Sequence, residues 1–176
     1  MNYAINILTC CLVAFQLSSC VTTKAFENAA YISNDAVYIK NEKLTEVSLF
    51  AISDAADKAM YENIVSSLQA AFLQNKIGSN IYFLSALESA DIIRSRIKES
   101  DKPYQLIINP VKDNYQRDEM NNPFISKQMT FFLQKITGER IADISISIDK
   151  NEKEGKLGNE ISSLVFAYLK KKNLLN

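Results

Sequence analysis

The sequence predicts an α+β fold, a single domain in which helices pack against a mixed β-sheet. Three observations lead to this prediction. Short segments rich in β-branched and aromatic residues alternate with longer segments in which apolar residues recur every three or four positions. Only four glycines and three prolines occur in 176 residues, so regular secondary structure should dominate. The hydrophobic content of 47% is that of a globular protein. The predicted order of elements is β-α-β-α-β-β-β-α within residues 36–176.

The first predicted strand region is followed by a long amphipathic helix. Residues 36–39 and 45–52 have the β-branched and aromatic content of strands. Ser53 or Asp54 can cap a helix that runs to about Lys76. Its apolar residues recur at helical spacing and predict one buried face, formed by Met60, Ile64, Leu68, Ala71 and Phe72.

The next strand and helix lead to a strand in the interior of the sheet. A short strand is predicted at 80–84. The capping box Ser85-Ala86-Leu87-Glu88 then predicts a helix that runs to about Ser100. Its inward residues are expected to be Leu87, Ala90, Ile93 (or Ile92) and Ile97. The nearly continuous apolar run at 104–108 is typical of an interior strand.

The last part of the domain predicts a β-hairpin and a closing helix. Residues 112–123 are polar and are interpreted as a loop. Residues 127–135 and 141–148 predict the hairpin, since Ala142, Ile144, Ile146 and Ile148 alternate with polar residues. A charged loop at 150–158 precedes the helix at about 159–174. That helix is expected to bury Ile161, Leu164, Val165, Tyr168 and Leu169.

The amino-terminal segment has the features of an export signal. No charged side chain occurs from Met1 to Thr23, and an apolar run occupies residues 4–15. Leu17-Ser18-Ser19-Cys20 follows and resembles the lipobox of bacterial lipoproteins, although Met1-Asn2-Tyr3 lacks the usual Lys or Arg. The resemblance implies a signal peptide at 1–19 and a lipid on Cys20. The residues alone leave open an uncleaved anchor helix or a buried core helix.

The predicted lipoprotein has a short tether, and its sequence also predicts the membrane in which it is anchored. Residues 20–35 are interpreted as the lipidated cysteine and its tether, which spans at most about 50 Å when extended. Val21 is not the aspartate that favours retention in the inner membrane. We therefore expect anchoring in the outer membrane, facing the periplasm, rather than in the inner membrane.

The composition argues against several classes of function. Lys plus Arg and Asp plus Glu are 20 each, so the net charge is zero and no general attraction to nucleic acid is expected. The chain has no histidine, and its three cysteines lie at or before Cys20. We therefore expect no catalytic residues, no metal, no cofactor and no small-molecule substrate. The alternative is a membrane-tethered hydrolase that uses carboxylates or a Ser/Lys pair.

A polar segment and a hairpin motif are the candidate binding regions. Asp113, Asp118 and Glu119 crowd the predicted loop and could contact a cation or a charged partner, but a solvated loop is the favoured interpretation. The run Phe132-Leu133-x-x-x-Thr137-Gly138-Glu139-Arg140-Ile141 follows the apolar strand segment Pro103–Ile108. It resembles a recurring piece of bacterial envelope lipoproteins.

These envelope lipoproteins include the curli secretion lipoprotein, the lipoprotein activators of peptidoglycan synthases and the amino-terminal domain of the Tol-system propeller protein. In this chain the leucine lies one residue nearer the threonine, and Asn109-Pro110 replaces the usual glycine. The resemblance implies a non-catalytic adaptor that docks another envelope protein. Thr137, Gly138, Glu139 and Arg140 are therefore the candidate partner-binding residues.

The lipobox generates the first testable prediction. Cys20→Ala removes the thiol that would receive the lipid, so we expect lipidation to be abolished and the chain to be left unprocessed or released. Metabolic labelling with a fatty-acid analogue measures this directly. Undiminished labelling of the variant would refute the lipoprotein assignment.

Overall fold

The computed structural model describes residues 30–40, 42–117, 120–121, 123–148 and 154–175. Within them the helices are α1 (Lys58–Gln74), α2 (Ala90–Lys98) and α3 (Glu154–Lys171). The strands are β1 (Ala30–Val37), β2 (Glu46–Ser53), β3 (Gly78–Ser85), β4 (Tyr104–Ile108), β5 (Lys112–Arg117), β6 (Pro123–Lys135) and β7 (Arg140–Ile148). The predicted α+β class with helices packed on a mixed sheet is confirmed. Cys20 and the predicted signal peptide at 1–19 lie outside the described residues.

The strands form one mixed sheet in the order β1-β7-β6-β4-β2-β3, and β5 pairs with β6 off this path. Strand β2 pairs in parallel with β3 and β4, whereas the other pairings are antiparallel. The connection from β2 to β3 and the connection from β3 to β4 run in opposite directions along the sheet. Since such crossovers share one handedness, α1 and α2 lie on opposite faces.

The main core lies on the face covered by α1 and α3. Apolar side chains of β2, β4, β6 and β7 on this face pack against both helices, which also contact each other. A smaller cluster lies on the other face, where Ile93 and Ile97 of α2 pack on the sheet. The sheet side chains beneath α2 are Phe50, Ile52, Leu84 and Ile107.

The amphipathic face predicted for the first helix is present in α1. Met60, Ile64, Leu68 and Phe72 are buried, together with Tyr61 and Val65. The helix begins at Lys58, because Asp54 closes a preceding turn by accepting the N–H groups of Ala56 and Asp57, each at 3.1 Å. The side chain of Asp54 therefore orders the approach to α1 but does not cap its first turn.

The second helix starts later than its predicted capping box. Ser85 is the last residue of β3 and pairs with Ser53, so its backbone is extended. Its hydroxyl accepts the N–H of Leu87 at 3.2 Å within a turn, and Leu87 is 90% exposed. Ser89 is the N-cap, and its hydroxyl accepts the N–H of Ile92. The capping-box prediction and the inward placement of Leu87 are wrong.

Two strands occupy segments that were expected to be irregular. Strand β1 begins at Ala30, within the segment 21–35 that was interpreted as the tether. Strand β5 occupies 112–117 of the predicted polar loop. Both pair antiparallel with the apolar hairpin strands, β1 with β7 and β5 with β6. Pairing with a preformed neighbour compensates for weak strand composition, because strand preference depends on context.

The closing helix begins at Glu154, five residues before its predicted start. Ile161, Val165, Tyr168 and Leu169 are buried as expected, whereas Leu164 is only partly buried. The end of the chain is also held by the fold, because Leu174 is buried and its carbonyl accepts the N–H of Leu44 at 2.9 Å. None of the helices in the described ranges is long and apolar enough to cross a membrane.

The packing of α1 generates a stability prediction with an internal control. Leu68 has no exposed surface, so Leu68→Ala should lower the free energy of unfolding by roughly 2–5 kcal/mol. Leu73 lies on the same helix but is 72% exposed, and Leu73→Ala should change it by less than about 0.5 kcal/mol. Denaturant melts measure both variants. Equal stability of the two would contradict the assigned face.

Candidate docking groove

A groove of about 560 Å³ lies between α2 and the hairpin formed by β6 and β7. It exists because α2 has only nine residues and packs over β2, β3 and the near side of β4. No described helix covers the face of the sheet beyond α2. Ile93 and Ile97 form the helical wall, Ile107 and Phe132 form the floor, and Ile136 lies at the hairpin end.

Three cations line this groove. Arg94 and Lys98 lie one turn apart on α2, and Arg140 begins β7 on the opposite side. The lining residues that the structure describes include no carboxylate. The groove therefore combines an apolar floor with positive charge at its sides.

Arg140 is held in place by two contacts. Its guanidinium carbon lies 3.8 Å from the centroid of the Phe132 ring, a cation–π arrangement. Its Nε lies 3.4 Å from Oδ1 of Asp143, three residues along β7. The charge on Arg140 is therefore positioned directly over the groove floor, while Asp143 lies outside the lining.

Hydrogen bonds fix the walls of the groove relative to each other. Gln105 is almost completely buried, and its side chain donates to the carbonyl of Ile97 at 2.8 Å. Gln134 in turn donates to the side-chain oxygen of Gln105 at 2.9 Å. This chain links the end of α2 to β4 and β6. Since buried amides need their partners, the width of the groove is set by this network.

Asn109 and Pro110, which replace the glycine usual in the envelope lipoproteins named above, also line the groove. The carbonyl of Asn109 accepts the hydroxyl of Tyr61 at 2.6 Å, and its N–H donates to Thr130 at 2.9 Å. The pKa of Tyr61 is raised, mainly because the side chain is buried. The hydroxyl therefore stays protonated and remains a hydrogen-bond donor. The segment after β4 is thus tied to both α1 and β6.

Of the four hairpin residues singled out from the sequence, three line the groove and one does not. Thr137, Gly138 and Arg140 line the groove. Glu139 lies outside this lining, and its carboxylate is 3.0 Å from Nζ of Lys135. Gly138 has φ +87° in the turn and donates its N–H to the carbonyl of Lys135 at 2.9 Å, a conformation that favours glycine.

The base of the hairpin is anchored to the segment before β2. Lys135 Nζ lies 3.4 Å from Glu42 Oε2, and the hydroxyl of Tyr104 donates to Glu42 Oε1 at 2.7 Å. The hydrogen bond from Tyr104 is the main cause that holds the pKa of Glu42 below its usual value, with a smaller contribution from Lys135. The hydrogen bond with Glu139 raises the pKa of Lys135.

Sequence reasoning missed the cations of α2. Arg94 and Lys98 have the same four-residue spacing as Ile93 and Ile97, so the two charges lie on one face of the helix, next to the apolar face. This spacing was the available signal. It was not decisive, because charges on a helix normally face solvent and the position of the hairpin opposite them is a tertiary feature.

Of the other sequence candidates, only Asp113 lies within the described residues. Asp113 is exposed on β5, while Asp118 and Glu119 lie outside the described residues. Among the described residues, no group of three or more acidic, histidine or cysteine side chains is placed to hold a metal ion.

Comparisons with known proteins add only a distant likeness of shape. No family model matches the chain, and no curated protein matches it. Two solved structures of the PelC dodecamer from Paraburkholderia phytofirmans, one of them a single-residue variant, cover 78% of this chain and 95% of their own. Their TM-score is 0.46 in both cases, with 13% and 11% sequence identity. Fold and groove thus define an α+β domain with an open, cationic groove.

The anchoring of the hairpin generates a pH prediction. Because the pKa of Glu42 is lowered in the folded state, its contacts add stability above its ordinary pKa of 4.5 and lose it as the pH falls further. The stability difference between wild type and Glu42→Gln should therefore be largest near neutral pH and shrink below about pH 4.5. Thermal melts across this range measure it.

Tyr104→Phe is the matching variant, since it removes the donor that contributes most to the lowered pKa of Glu42. It should reduce the acid dependence while leaving the contact between Lys135 and Glu42 in place. A stability difference for Glu42→Gln that stays constant from neutral to acidic pH would contradict the assigned contacts.

Proposed function

We propose that the protein is a membrane-anchored envelope lipoprotein that acts as a non-catalytic binding module for another cell-envelope protein. The observation that carries the proposal is the groove between α2 and the hairpin. Three of the four hairpin residues expected to bind a partner, Thr137, Gly138 and Arg140, line it. The lipobox-like segment that ends at Cys20 supports the anchor.

The chemistry of the groove indicates what it binds. An apolar floor formed by Ile107 and Phe132 favours apolar side chains. Within the described residues Lys98 makes no ion pair, and no carboxylate lines the groove. Arg94 and Arg140 each contact one carboxylate outside the lining, Asp91 at 3.2 Å and Asp143 at 3.4 Å. The partner is therefore an extended protein segment in which apolar residues alternate with carboxylates, so that its charges meet Arg94, Lys98 and Arg140.

The lining favours contact over catalysis. Its described residues offer hydrophobic, amide and cationic groups and the hydroxyl of Thr137, and none is a carboxylate or thiol. Two carboxyl groups outside the groove have lowered pKa values. The main cause for Asp35 is a hydrogen bond from Lys172, and the main cause for Glu42 is a hydrogen bond from Tyr104. A hydrolase acid would need the opposite shift.

The position of the groove suits an anchored protein. Between Cys20 and the start of β1 at Ala30 lie residues 21–29, which span at most about 30 Å when extended. Ala30 pairs with Ile148 at one end of β7, whereas Arg140 begins the other end, about 27 Å away along the strand. A partner can therefore enter the groove at the hairpin without meeting the tether.

The test uses two synthetic fluorescent peptides and the purified full chain in detergent. One peptide alternates leucine with glutamate, and the other alternates leucine with lysine. We expect the acidic peptide to raise the fluorescence anisotropy and the basic peptide to leave it unchanged. Arg140→Gln combined with Lys98→Gln should weaken binding of the acidic peptide about tenfold or more, because charged hydrogen bonds are lost.

Arg96→Gln is the matched control. Arg96 belongs to the same helix but lies outside the groove, where it contacts Glu88 at 3.1 Å. The Arg96→Gln variant should bind the acidic peptide with the same affinity as the wild type. Equal binding of the two peptides, or equal losses in the groove variant and the control, would refute the groove as the docking site. Hydrolysis of either peptide by the full chain would refute the non-catalytic role.

A further inference from the structure

The outer edge of β3, called here the β3 edge, lacks a partner strand within the described residues. Strand β3 ends the sheet and pairs only with β2. Its eight residues, Gly78–Ser85, include no charged residue and no proline. Natural sheets usually protect an edge with charges, prolines or bulges, because unpaired N–H and C=O groups can pair with another chain.

The other strand edges of the sheet carry such protection. Strand β1 has an irregularity between Ile32 and Asn34, and its Asp35 forms an ion pair with Lys172 at 3.0 Å. Strand β5 contains charged residues at positions 112, 113 and 117. Among the described strands, the β3 edge is therefore the one best suited to pair with another chain.

The middle of the β3 edge, residues 81–84, is mainly apolar, and its side chains are held in position. Phe83 is 45% exposed and lies on the α1 face with Ile81. Tyr82 lies on the α2 face and stacks on Phe50 with ring centroids 4.8 Å apart. Gln69 donates to the carbonyl of Ser79 at 3.1 Å, which leaves residues 80–84 as the stretch available for pairing.

We propose that a second copy of this chain pairs with the β3 edge in antiparallel fashion, about a two-fold axis normal to the sheet at Tyr82. This register places Ile81 of each copy opposite Phe83 of the other, so apolar side chains meet apolar ones. It places Tyr82 opposite Tyr82 of the second copy. The two sheets become one continuous sheet.

Three observations favour a second copy as the occupant. A strand without charge meets no like-charge repulsion when it pairs with itself, and the chain as a whole has zero net charge. The crevice beside β3 is lined by Arg96 of α2, which also contacts Glu88, and by Glu99, the C-cap of α2. With one charge of each sign, its flanks can be self-complementary under a two-fold axis. A self-complementary patch is what a two-fold dimer requires.

The dimer is compatible with two anchored copies and with an open groove. The axis reverses the strand direction, so both tethers reach one membrane when the sheet lies parallel to it. Residues 21–29 can span up to about 30 Å, more than the thickness of one layer of helices, about 10 Å. The groove lies on the other side of α2 from the β3 edge, so the dimer does not depend on the groove or its ligand.

A disulfide test distinguishes this register. Residues that face each other across antiparallel strands have Cα atoms about 4.5–5.5 Å apart, within the range of a disulfide. Full-length Tyr82→Cys, oxidised mildly in membranes, should therefore give a covalent dimer. Leu73→Cys, an exposed position on α1, and wild type with its native cysteines should not.

A charge introduced into the β3 edge provides a check on the Tyr82→Cys crosslink. Asn80 is exposed, and Asn80→Lys added to Tyr82→Cys should reduce the dimer fraction about tenfold without lowering the melting temperature. A second measurement needs no cysteine: copies with two different tags, co-expressed and solubilised in detergent, should copurify as wild type and separate when both carry Asn80→Lys. Crosslinking no stronger than that of Leu73→Cys, together with absent copurification of wild type, would overturn the proposal and leave acidic-peptide binding unaffected.

Discussion

Strand β2 is enclosed on every side, and the positions of the neighbouring elements follow from this enclosure. Residues 47–53 are all buried, with β3 and β4 along the edges and a helix on each face. On the α2 side, the buried hydroxyl groups of Ser48 and Ser100 share a hydrogen bond of 2.6 Å. Covering both faces requires two crossovers in opposite directions, which right-handed connections supply.

The two helices that cover β2 are unequal, and the groove results from that inequality. Helix α1 has 17 residues and shares its face with α3, which together cover the main core. Helix α2 has nine residues, and none of the other described helices lies beside it on its face. The exposed part of that face is bounded by α2 and the hairpin. Because Gln105 and Gln134 connect these walls, the opening is a fixed feature of the sheet.

The edges of the sheet also differ from each other, in their charge and in their regularity. The β1 edge is tied to the end of α3 through Asp35 and Lys172, and the charged strand β5 extends the sheet at one side. The β3 edge carries neither charge nor bulge. One chain thus combines a cationic groove that suits a carboxylate-bearing segment with an uncharged edge that suits an identical strand. These surfaces lie on opposite sides of α2, so the two proposed contacts would be physically independent.

Local patterns determined most of the elements. The helical spacing of Met60, Ile64 and Leu68 predicted the buried face of α1. The alternation in β7 predicted its inward side chains, Ala142, Ile144, Ile146 and Ile148, all of which are buried. The hairpin motif singled out residues 137–140, of which Thr137, Gly138 and Arg140 line the groove and Glu139 does not. Such signals are readable because each residue's role depends on neighbours a few positions away.

The tertiary structure decided what depends on distant partners. Strand β5 is polar and β1 has no clear strand pattern, and both form because their neighbours β6 and β7 provide backbone hydrogen-bonding partners. Ser85 stays in a strand because Ser53 pairs with it, although its local sequence favours a cap. Arg94 and Lys98 became groove residues only when the hairpin, about 40 positions along the chain, was placed opposite them. The sequence by itself determined which segments are amphipathic and where the lipobox-like motif ends. The sheet order determined which faces and edges stay open, since exposure is a property of the assembled layers and not of any local stretch of chain.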